Sequence, residues 1–334
     1  MLTIKRISQS NSDYGQKAHK RYKELIVMTG KFVWFEGIPF PSLDYSSELL
    51  RDMQESFLKD EDVLLLTFPK SGTSWLVETV CLIYSKGDTK WIQSEPIWDR
   101  SPWVETKYGC ELLKEKEGPR LISSHLPIQL FPKSFFKSKA KMIYLIRNPR
   151  DVLVSGYFFW RSAKFVKRPQ SLEQYFDWFI QGKGYSFRKR ATRLPWWSSG
   201  SESACQVVFG SWFNHTRDWM SMRDKENFLI LSYEEMKWDT RSTVEKICQF
   251  LSKKLEPEEL DSVLRNSSFQ AMKENNMSNL PLLKGRYFEE NGQLLRKGVT
   301  GDWKNYFTVA QAEIFDKLFQ EKMADLPQDL FPWK

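Results

Sequence analysis

The segment from Asp62 to Tyr84 constrains the fold more than any other part of the chain. It begins with the apolar run V-L-L-L-T-F, which has the length of a buried strand and ends at Pro69. Gly72 then supplies a turn, and Thr73 or Ser74 is placed to N-cap the apolar helix that follows. Such a strand, turn and helix N-terminus bind anions, because backbone N–H groups and the helix dipole converge there. The segment therefore predicts a phosphate-binding loop.

The position of Lys70 determines which type of phosphate loop this segment resembles. Its ammonium lies in the turn, where it can reach a phosphate or sulfate oxygen, and it precedes Ser71-Gly72-Thr73. In the nucleotide triphosphatase motif G-x-x-x-x-G-K-[ST], the lysine instead follows the second glycine. The loop is therefore a phosphate loop of a different type. From this segment alone, the alternative interpretation is a capped surface turn with a solvated lysine.

Strand and helix patterns alternate along the rest of the chain. Further short apolar runs predict strands at residues 120–124, 141–145 and 228–231, and helical patterns lie between and after them. Such alternation is typical of an open, mostly parallel sheet with helices on both faces. We therefore expect an α/β fold in one domain, with a central sheet flanked by helices.

Polar side chains follow two of these predicted strands. His125 comes directly after the second strand and Arg147 after the third. In an open α/β sheet, ligands bind at the carboxyl ends of the strands. A nucleotide triphosphatase would often place a magnesium-holding Asp where this chain has Arg147, so the pattern favours metal-free anion binding. A structural histidine and a structural salt bridge are the alternatives.

The net charge of +8 is concentrated in two segments. Residues 1–31 have a balance of +5 and residues 183–207 a balance of +4, which leaves −1 for the remainder. A nucleic-acid partner is therefore not expected, because that would require a basic surface on the body of the protein. We interpret residues 1–31 as a poorly ordered basic extension and residues 183–207, rich in Gly, Ser and Arg, as a long surface loop.

The chain shows no sign of a membrane span or a resident metal. No apolar run approaches the roughly 18 residues of a span, and the N-terminus has no apolar signal region. The four cysteines have no metal-site spacing. We therefore expect a cytoplasmic protein without a bound metal.

Four motifs in this order resemble the cytosolic sulfotransferases: P-K-S-G-T-S-W, the strand-end His125, R-N-P-R-D-V-L-V-S-G-Y and R-K-G-x-x-G-D-W-K-N. The text S-S-H-L-P-I-Q-L-F-P-K-S-F-F and the ending F-P-W-K resemble the hydroxysteroid (bile-salt) branch. The resemblance covers residues 34–334, apart from the basic loop. It implies that residues 32–334 form a sulfotransferase domain. It also implies transfer of a sulfuryl group from 3′-phosphoadenosine 5′-phosphosulfate (PAPS) to a steroid, bile acid or similar apolar alcohol, without a metal.

The resemblance also implies roles for individual residues. His125 would be the general base, and Lys70 would support charge that develops on the leaving phosphate. The donor would be bound by Lys70, Ser71, Gly72, Thr73, Ser74, Trp75, Arg147, Ser155, Tyr233, Ser267, Met272, Arg296, Lys297 and Gly298. Aromatic residues in proline-punctuated segments are candidates for the acceptor pocket, namely Tyr45, Trp98 and Trp103.

The family's dimer motif K-x-x-x-T-V-x-x-x-E matches Lys304, Thr308, Val309 and Glu313, which implies a homodimer. The basic loop at 183–207 departs from the family pattern near the expected acceptor pocket. A nucleotide-binding protein that this loop has made inactive is therefore one alternative. A P-loop nucleotide kinase is the other, although the lysine position and Arg147 argue against it.

Overall fold

The computed structural model of the protein describes residues 32–181, 207–279 and 283–333. A hairpin of β1 (Phe32–Phe35) and β2 (Ile38–Pro41) comes first and forms its own two-stranded sheet. The central sheet is parallel, with strand order β4-β3-β5-β6. Its strands are β3 (Val63–Thr67), β4 (Leu121–Ser124), β5 (Lys141–Ile146) and β6 (Phe228–Ser232). The predicted α/β architecture is confirmed, and each predicted strand differs from the observed one by a single residue.

The central sheet is buried on both faces. Leu64 and Leu66 of β3 pack into one hydrophobic cluster, whereas Val63 and Leu65 pack into another. This division follows from the period of two along a strand, which points successive side chains to opposite faces. A parallel sheet covered on both sides needs apolar residues at both sets of positions, which explains the uninterrupted apolar runs in the sequence.

Helices connect the strands and cover the sheet. In chain order they are α1 (Ser47–Gln54), α2 (Thr73–Tyr84), α3 (Lys90–Ser94), α4 (Ile97–Arg100), α5 (Lys107–Glu115), α6 (Pro149–Trp160), α7 (Leu172–Gln181), α8 (Trp212–Met220), α9 (Tyr233–Trp238), α10 (Thr240–Leu251), α11 (Pro257–Asn266), α12 (Phe269–Glu274) and α13 (Val309–Met323). Short 3₁₀ turns lie at Ile128–Leu130, Lys133–Lys137, Asp302–Asn305 and Gln328–Leu330.

The proline-punctuated segment 91–103, which carries Trp98 and Trp103, contains α4 and most of α3. One local expectation needs correction. The N-cap of α2 is Gly72 rather than Thr73 or Ser74, and no side chain caps that helix. The first turn of α2 therefore keeps its N–H groups free of a side-chain acceptor, as an anion site requires.

A fully buried ion pair ties α2 to α4. Arg100 Nη1 lies 2.7 Å from Glu78 Oε2, and both side chains have 0% exposure. Ser278 joins the pair, since its hydroxyl donates to Glu78 Oε2 at 2.7 Å and accepts from Arg100 Nη2 at 3.0 Å. Buried charges of this kind need such partners, because desolvation is costly. The helix that follows the phosphate loop is thereby fixed to the segment that carries Trp98.

Two sequence expectations fall mainly outside the part of the chain that the structure describes. These are the basic extension at residues 1–31 and the loop at 183–207, of which only Val207 is described and is buried. Across the described residues, no helix combines the length and apolarity needed to cross a bilayer.

Candidate active site

The phosphate loop joins β3 to α2 through two residues with positive φ. Lys70 has φ 70° and Gly72 has φ 110°. A Cβ placed on Gly72 would lie 2.7 Å from Tyr233 Cδ2, so this position requires glycine for space as well as for backbone conformation. The close approach sets Tyr233 against the loop, and its ring also packs edge-on against Trp75 at 5.3 Å.

A single cavity of about 1200 Å³ collects nearly all of the predicted site residues. Those that line it are Tyr45, Lys70, Gly72, Thr73, Ser74, Trp75, Trp98, Trp103, His125, Arg147, Ser155, Tyr233, Met272, Arg296, Lys297 and Gly298. The two that do not line it, Ser71 and Ser267, have 0% exposure. Residues from widely separated segments thus meet at the carboxyl ends of β3, β4 and β5.

Lys70 is one of the cationic residues that line this cavity. Its ammonium lies 3.9 Å from the centre of the Phe159 ring. Burial, together with the nearby positive charges of Arg147 and Arg296, lowers the pKa of Lys70 to about 7. The charged groups of Lys70, Arg147 and Arg296 therefore lie near one another. Among the hydrogen bonds and ion pairs of the described residues, Lys70 has no acidic partner. Such an arrangement favours an anionic ligand.

Arg147 is fixed by backbone carbonyls rather than by a salt bridge. One terminal nitrogen donates to the carbonyl oxygen of Lys70 and the other to that of Val299, each at 3.1 Å. Its guanidinium also lies over the Tyr233 ring, 4.1 Å from the ring centre. Arg147 therefore connects the phosphate loop to the glycine-containing segment at residues 296–301.

That segment contributes Arg296 and a fourth cation, Lys297, and both contact Asp302. Arg296 Nη2 donates to Asp302 Oδ2 at 2.6 Å, and Lys297 Nζ donates to Asp302 Oδ1 at 2.7 Å. These hydrogen bonds outweigh burial and lower the pKa of the Asp302 carboxyl to about 2. Gly298 has φ 67°, and a Cβ there would come within 2.2 Å of the Phe269 ring.

The geometry of His125 fixes which of its nitrogens is free. Nδ1 lies 2.8 Å from the carbonyl oxygen of Thr67, which can only accept, so Nδ1 carries the hydrogen. In the neutral ring Nε2 is then the basic nitrogen. Burial first, and the Lys70 charge in addition, lower the pKa of His125 to about 4 despite the hydrogen bond to Thr67. The imidazole is therefore neutral and able to accept a proton near pH 7.

The second described histidine, His215, lies in the protein core. His215 is 1% exposed, and its Nδ1 lies 3.0 Å from the hydroxyl of Tyr144 in the core behind the sheet. His215 is absent from the residues that line the cavity. His215 lies within α8, whereas His125 follows directly after β4.

Two aromatic rings pack against His125. Trp103 lies 5.8 Å and Phe209 5.3 Å from the imidazole, measured between ring centres. Phe209 in turn contacts Tyr45 at 5.9 Å. Trp98 also lines the cavity, so all three predicted pocket residues border the same space. This end of the cavity is suited to an apolar molecule.

Five of the predicted donor-binding residues carry a buried polar atom without a hydrogen-bond partner. These atoms are Ser71 Oγ, Trp75 Nε1, Arg147 Nε, Ser267 Oγ and Arg296 Nε. Buried polar groups in folded proteins nearly always have partners, so an unpaired group needs an explanation. Three of these residues, Trp75, Arg147 and Arg296, line the cavity, and a polar, anionic ligand bound there would supply acceptors for their N–H groups.

Sequence reasoning missed several residues of this site. Thr67 supplies the carbonyl that orients His125, and its hydroxyl lies 2.7 Å from that of Thr73. The sequence gives Phe209 no role, and it identifies Asp302 only as part of the motif R-K-G-x-x-G-D-W-K-N. Thr67 ends a strand beside His125 and so had a local signal. Phe209 had none, because its contact with His125 is made by residues 84 positions apart.

Comparison with known proteins gives a consistent result. The family model described as "Sulfotransferase domain" matches residues 60–327. Sulfotransferase 2A1 of Macaca fascicularis is 64% identical over 308 residues, which cover 92% of this chain and 100% of the relative. A 3-beta-hydroxysteroid sulfotransferase of Cavia porcellus is 58% identical, with coverage of 92% and 99%.

Solved structures agree in fold. Mouse sulfotransferase SULT7A1 complexed with PAP is 28% identical, with a TM-score of 0.70 over 88% of this chain and 95% of that chain. Retinol dehydratase in complex with androsterone and the inactive cofactor PAP is 19% identical, with a TM-score of 0.72 and coverage of 91% and 94%. The second similarity concerns the fold alone.

Proposed function

This chain belongs to the sulfotransferase family, and on that premise we propose that it transfers a sulfuryl group from PAPS to the hydroxyl of a steroid or similar apolar alcohol. In this reaction a bond forms between the acceptor oxygen and sulfur, and the bond from sulfur to the 5′-phosphate oxygen breaks, which leaves 3′-phosphoadenosine 5′-phosphate (PAP). The observation that carries the proposal is the shared cavity, in which Lys70, Arg147 and His125 meet.

On the donor side, we assign the phosphosulfate to Lys70, Ser71, Gly72, Thr73, Ser74 and Trp75. The uncapped N-terminus of α2 and the Lys70 ammonium support this assignment, since both favour a negative group. Lys70 would also oppose the negative charge that develops on the 5′-phosphate oxygen. PAPS itself supplies the activated sulfuryl group.

The 3′-phosphate is assigned to Arg147, Ser155, Arg296, Lys297 and Gly298, and the rest of the nucleotide to Tyr233, Ser267 and Met272. The unpaired Nε atoms of Arg147 and Arg296 support the phosphate assignment, because a phosphate oxygen would satisfy both.

On the acceptor side, His125 would take the proton from the hydroxyl. Its Nδ1–H is held by Thr67, which leaves the basic Nε2 for that proton. Tyr45, Trp98 and Trp103 are assigned to the acceptor pocket, to which Phe209 is added. The relatives named for 3-beta-hydroxysteroids and 3-alpha-hydroxysteroids support a steroid acceptor. Bile acids remain within the proposed acceptor class.

The test is a sulfate-transfer assay with PAPS, using dehydroepiandrosterone and a simple phenol as acceptors. We expect transfer to the steroid to exceed transfer to the phenol. His125→Ala and His125→Gln should each lower turnover at least about 10²-fold, while affinity for PAP changes little. Added imidazole should restore part of the activity of His125→Ala only, because glutamine fills the vacated space.

The extra loop is tested in the same assay by deleting residues 183–206. Activity in both proteins supports an enzyme that tolerates the loop. Activity only after deletion would instead identify the full chain as an inactive nucleotide-binding protein. Absence of transfer in both, with intact PAP binding, would contradict the proposed reaction.

We further propose a cytoplasmic enzyme in which residues 32–334 form the catalytic domain and residues 1–31 a basic extension. The homodimer is proposed through Lys304, Thr308, Val309 and Glu313. Val309 is 76% exposed at the start of α13, which supports an apolar contact there. Since such a patch is small compared with stable interfaces of more than about 1,000 Å², the dimer should dissociate on dilution.

A further inference from the structure

Two of the three cationic side chains assigned to the 3′-phosphate, those of Arg296 and Lys297, already have a charged partner in this structure. Arg296 and Lys297 share one carboxylate, that of Asp302, through the hydrogen bonds described above. Both also approach the hydroxyl of Tyr306, each at 3.3 Å. Asp302 itself is 5% exposed and has one further contact, from Asn305 at 2.9 Å.

These contacts occupy two of the three nitrogens of the Arg296 guanidinium. Nη2 is taken by Asp302 and Nη1 by Tyr306, whereas the buried Nε has no partner. The guanidinium also lies near two aromatic rings, 4.8 Å from the centre of Phe158 and 5.6 Å from that of Tyr306. Its orientation is therefore fixed before a ligand arrives.

A second carboxylate fixes the turn that carries Asp302. Asp151, in the first turn of α6, accepts the backbone N–H of Gly301 at 2.7 Å and that of Trp303 at 2.9 Å. It is 2% exposed. Because α6 also carries Ser155 and follows Arg147, the turn is fastened to the same element as the rest of the proposed phosphate site.

We propose that Asp302, whose turn is held by Asp151, is a positioning residue that presents Arg296 and Lys297 to the 3′-phosphate. This inference rests on the proposed function. Arginine and lysine lose much side-chain freedom when they are ordered, and an ordering contact made in advance lowers that loss on binding. The opposing effect is repulsion between the Asp302 carboxylate and the phosphate, which would favour tighter binding after its removal.

The direction in which PAP affinity changes when the Asp302 charge is removed separates these two effects. Asp302→Asn keeps the size of the side chain and removes its charge. We expect this variant to bind PAP about 10- to 100-fold more weakly, the loss typical of residues that orient the ligands of a metal. Adenosine 5′-phosphate, which has no 3′-phosphate, should bind with unchanged affinity. Calorimetry on the full chain measures both ligands.

Three further variants make the result interpretable. Tyr306→Phe removes the other contact to both cations and should give a smaller loss in the same direction. Asp329→Asn changes the net charge equally at an exposed position and should change neither affinity. Arg296→Ala tests the proposed phosphate site itself, and it should weaken PAP far more than adenosine 5′-phosphate.

The outcomes exclude one another. Tighter PAP binding in Asp302→Asn, or equal losses for both nucleotides, would overturn the positioning role. If Arg296→Ala also affects both nucleotides equally, the proposed 3′-phosphate site fails instead. Should Asp302→Asn not fold, a Tyr306→Phe variant that keeps wild-type affinity for PAP would refute the inference.

Discussion

Lys70 should make nucleotide binding depend on pH near neutrality. In the free protein its pKa is lowered to about 7, by burial and by the charges of Arg147 and Arg296. A bound phosphate favours the charged ammonium and so raises that pKa toward its ordinary value. The protein should therefore take up a proton when PAP binds, and affinity should be highest on the acidic side and fall as pH rises through 7.

The size of the effect follows from the free-state pKa. About half of the Lys70 side chains are charged at pH 7 and about one in a hundred at pH 9, so PAP affinity should fall about 50-fold, or about 2.3 kcal/mol. His125 does not contribute, because its pKa is about 4. The second ionisation of a phosphate, near pH 6, also lies below this interval.

Calorimetry in buffers of different ionisation enthalpy measures both the affinity and the proton uptake. At pH 8 we expect uptake of nearly one proton per nucleotide. Lys70→Arg is the matched control, since a guanidinium stays charged throughout and should flatten the dependence. Any pH dependence of PAP affinity that remains in Lys70→Arg belongs to other groups. Glu234 is the first candidate, because burial raises its pKa to about 7. Equal slopes in wild type and Lys70→Arg would refute the reasoning.

Three further changes have defined outcomes. Gly72→Ala combines a φ of 110° with a clash against Tyr233, so PAP affinity should drop by about 1–3 kcal/mol or more; near-normal binding in calorimetry would contradict this. Arg100→Met leaves Glu78 buried without its ionic partner, which should lower the free energy of unfolding by about 3–5 kcal/mol in urea titrations. The double variant Arg100→Met with Glu78→Gln should recover part of that loss. Val309→Glu should convert the proposed dimer to monomer in light scattering without loss of PAP binding, and unchanged mass would argue against that interface.

Much of the fold was determined by local sequence pattern. The four central strands and the glycine turn at residue 72 are visible because their information is contiguous: an uninterrupted apolar run, a proline and a glycine. Burial on both faces of a parallel sheet requires such runs, so the runs by themselves predict a parallel sheet that is covered on both sides. The cap of α2 was assigned wrongly because polar side chains after a turn resemble N-caps, while the structure uses the glycine itself.

The site was predictable only as a set of residue types at strand ends and in motifs. The sequence by itself identified Lys70, His125 and Arg147 as residues for anion and proton chemistry. Tertiary structure decided how each one is held: Arg147 by two backbone carbonyls, His125 by the carbonyl of Thr67, and Arg296 by Asp302. It also decided that Phe209 lies against His125. Sequence periodicity encodes which residues are buried, whereas the partner of a buried polar group depends on which distant segments packing brings within hydrogen-bond distance.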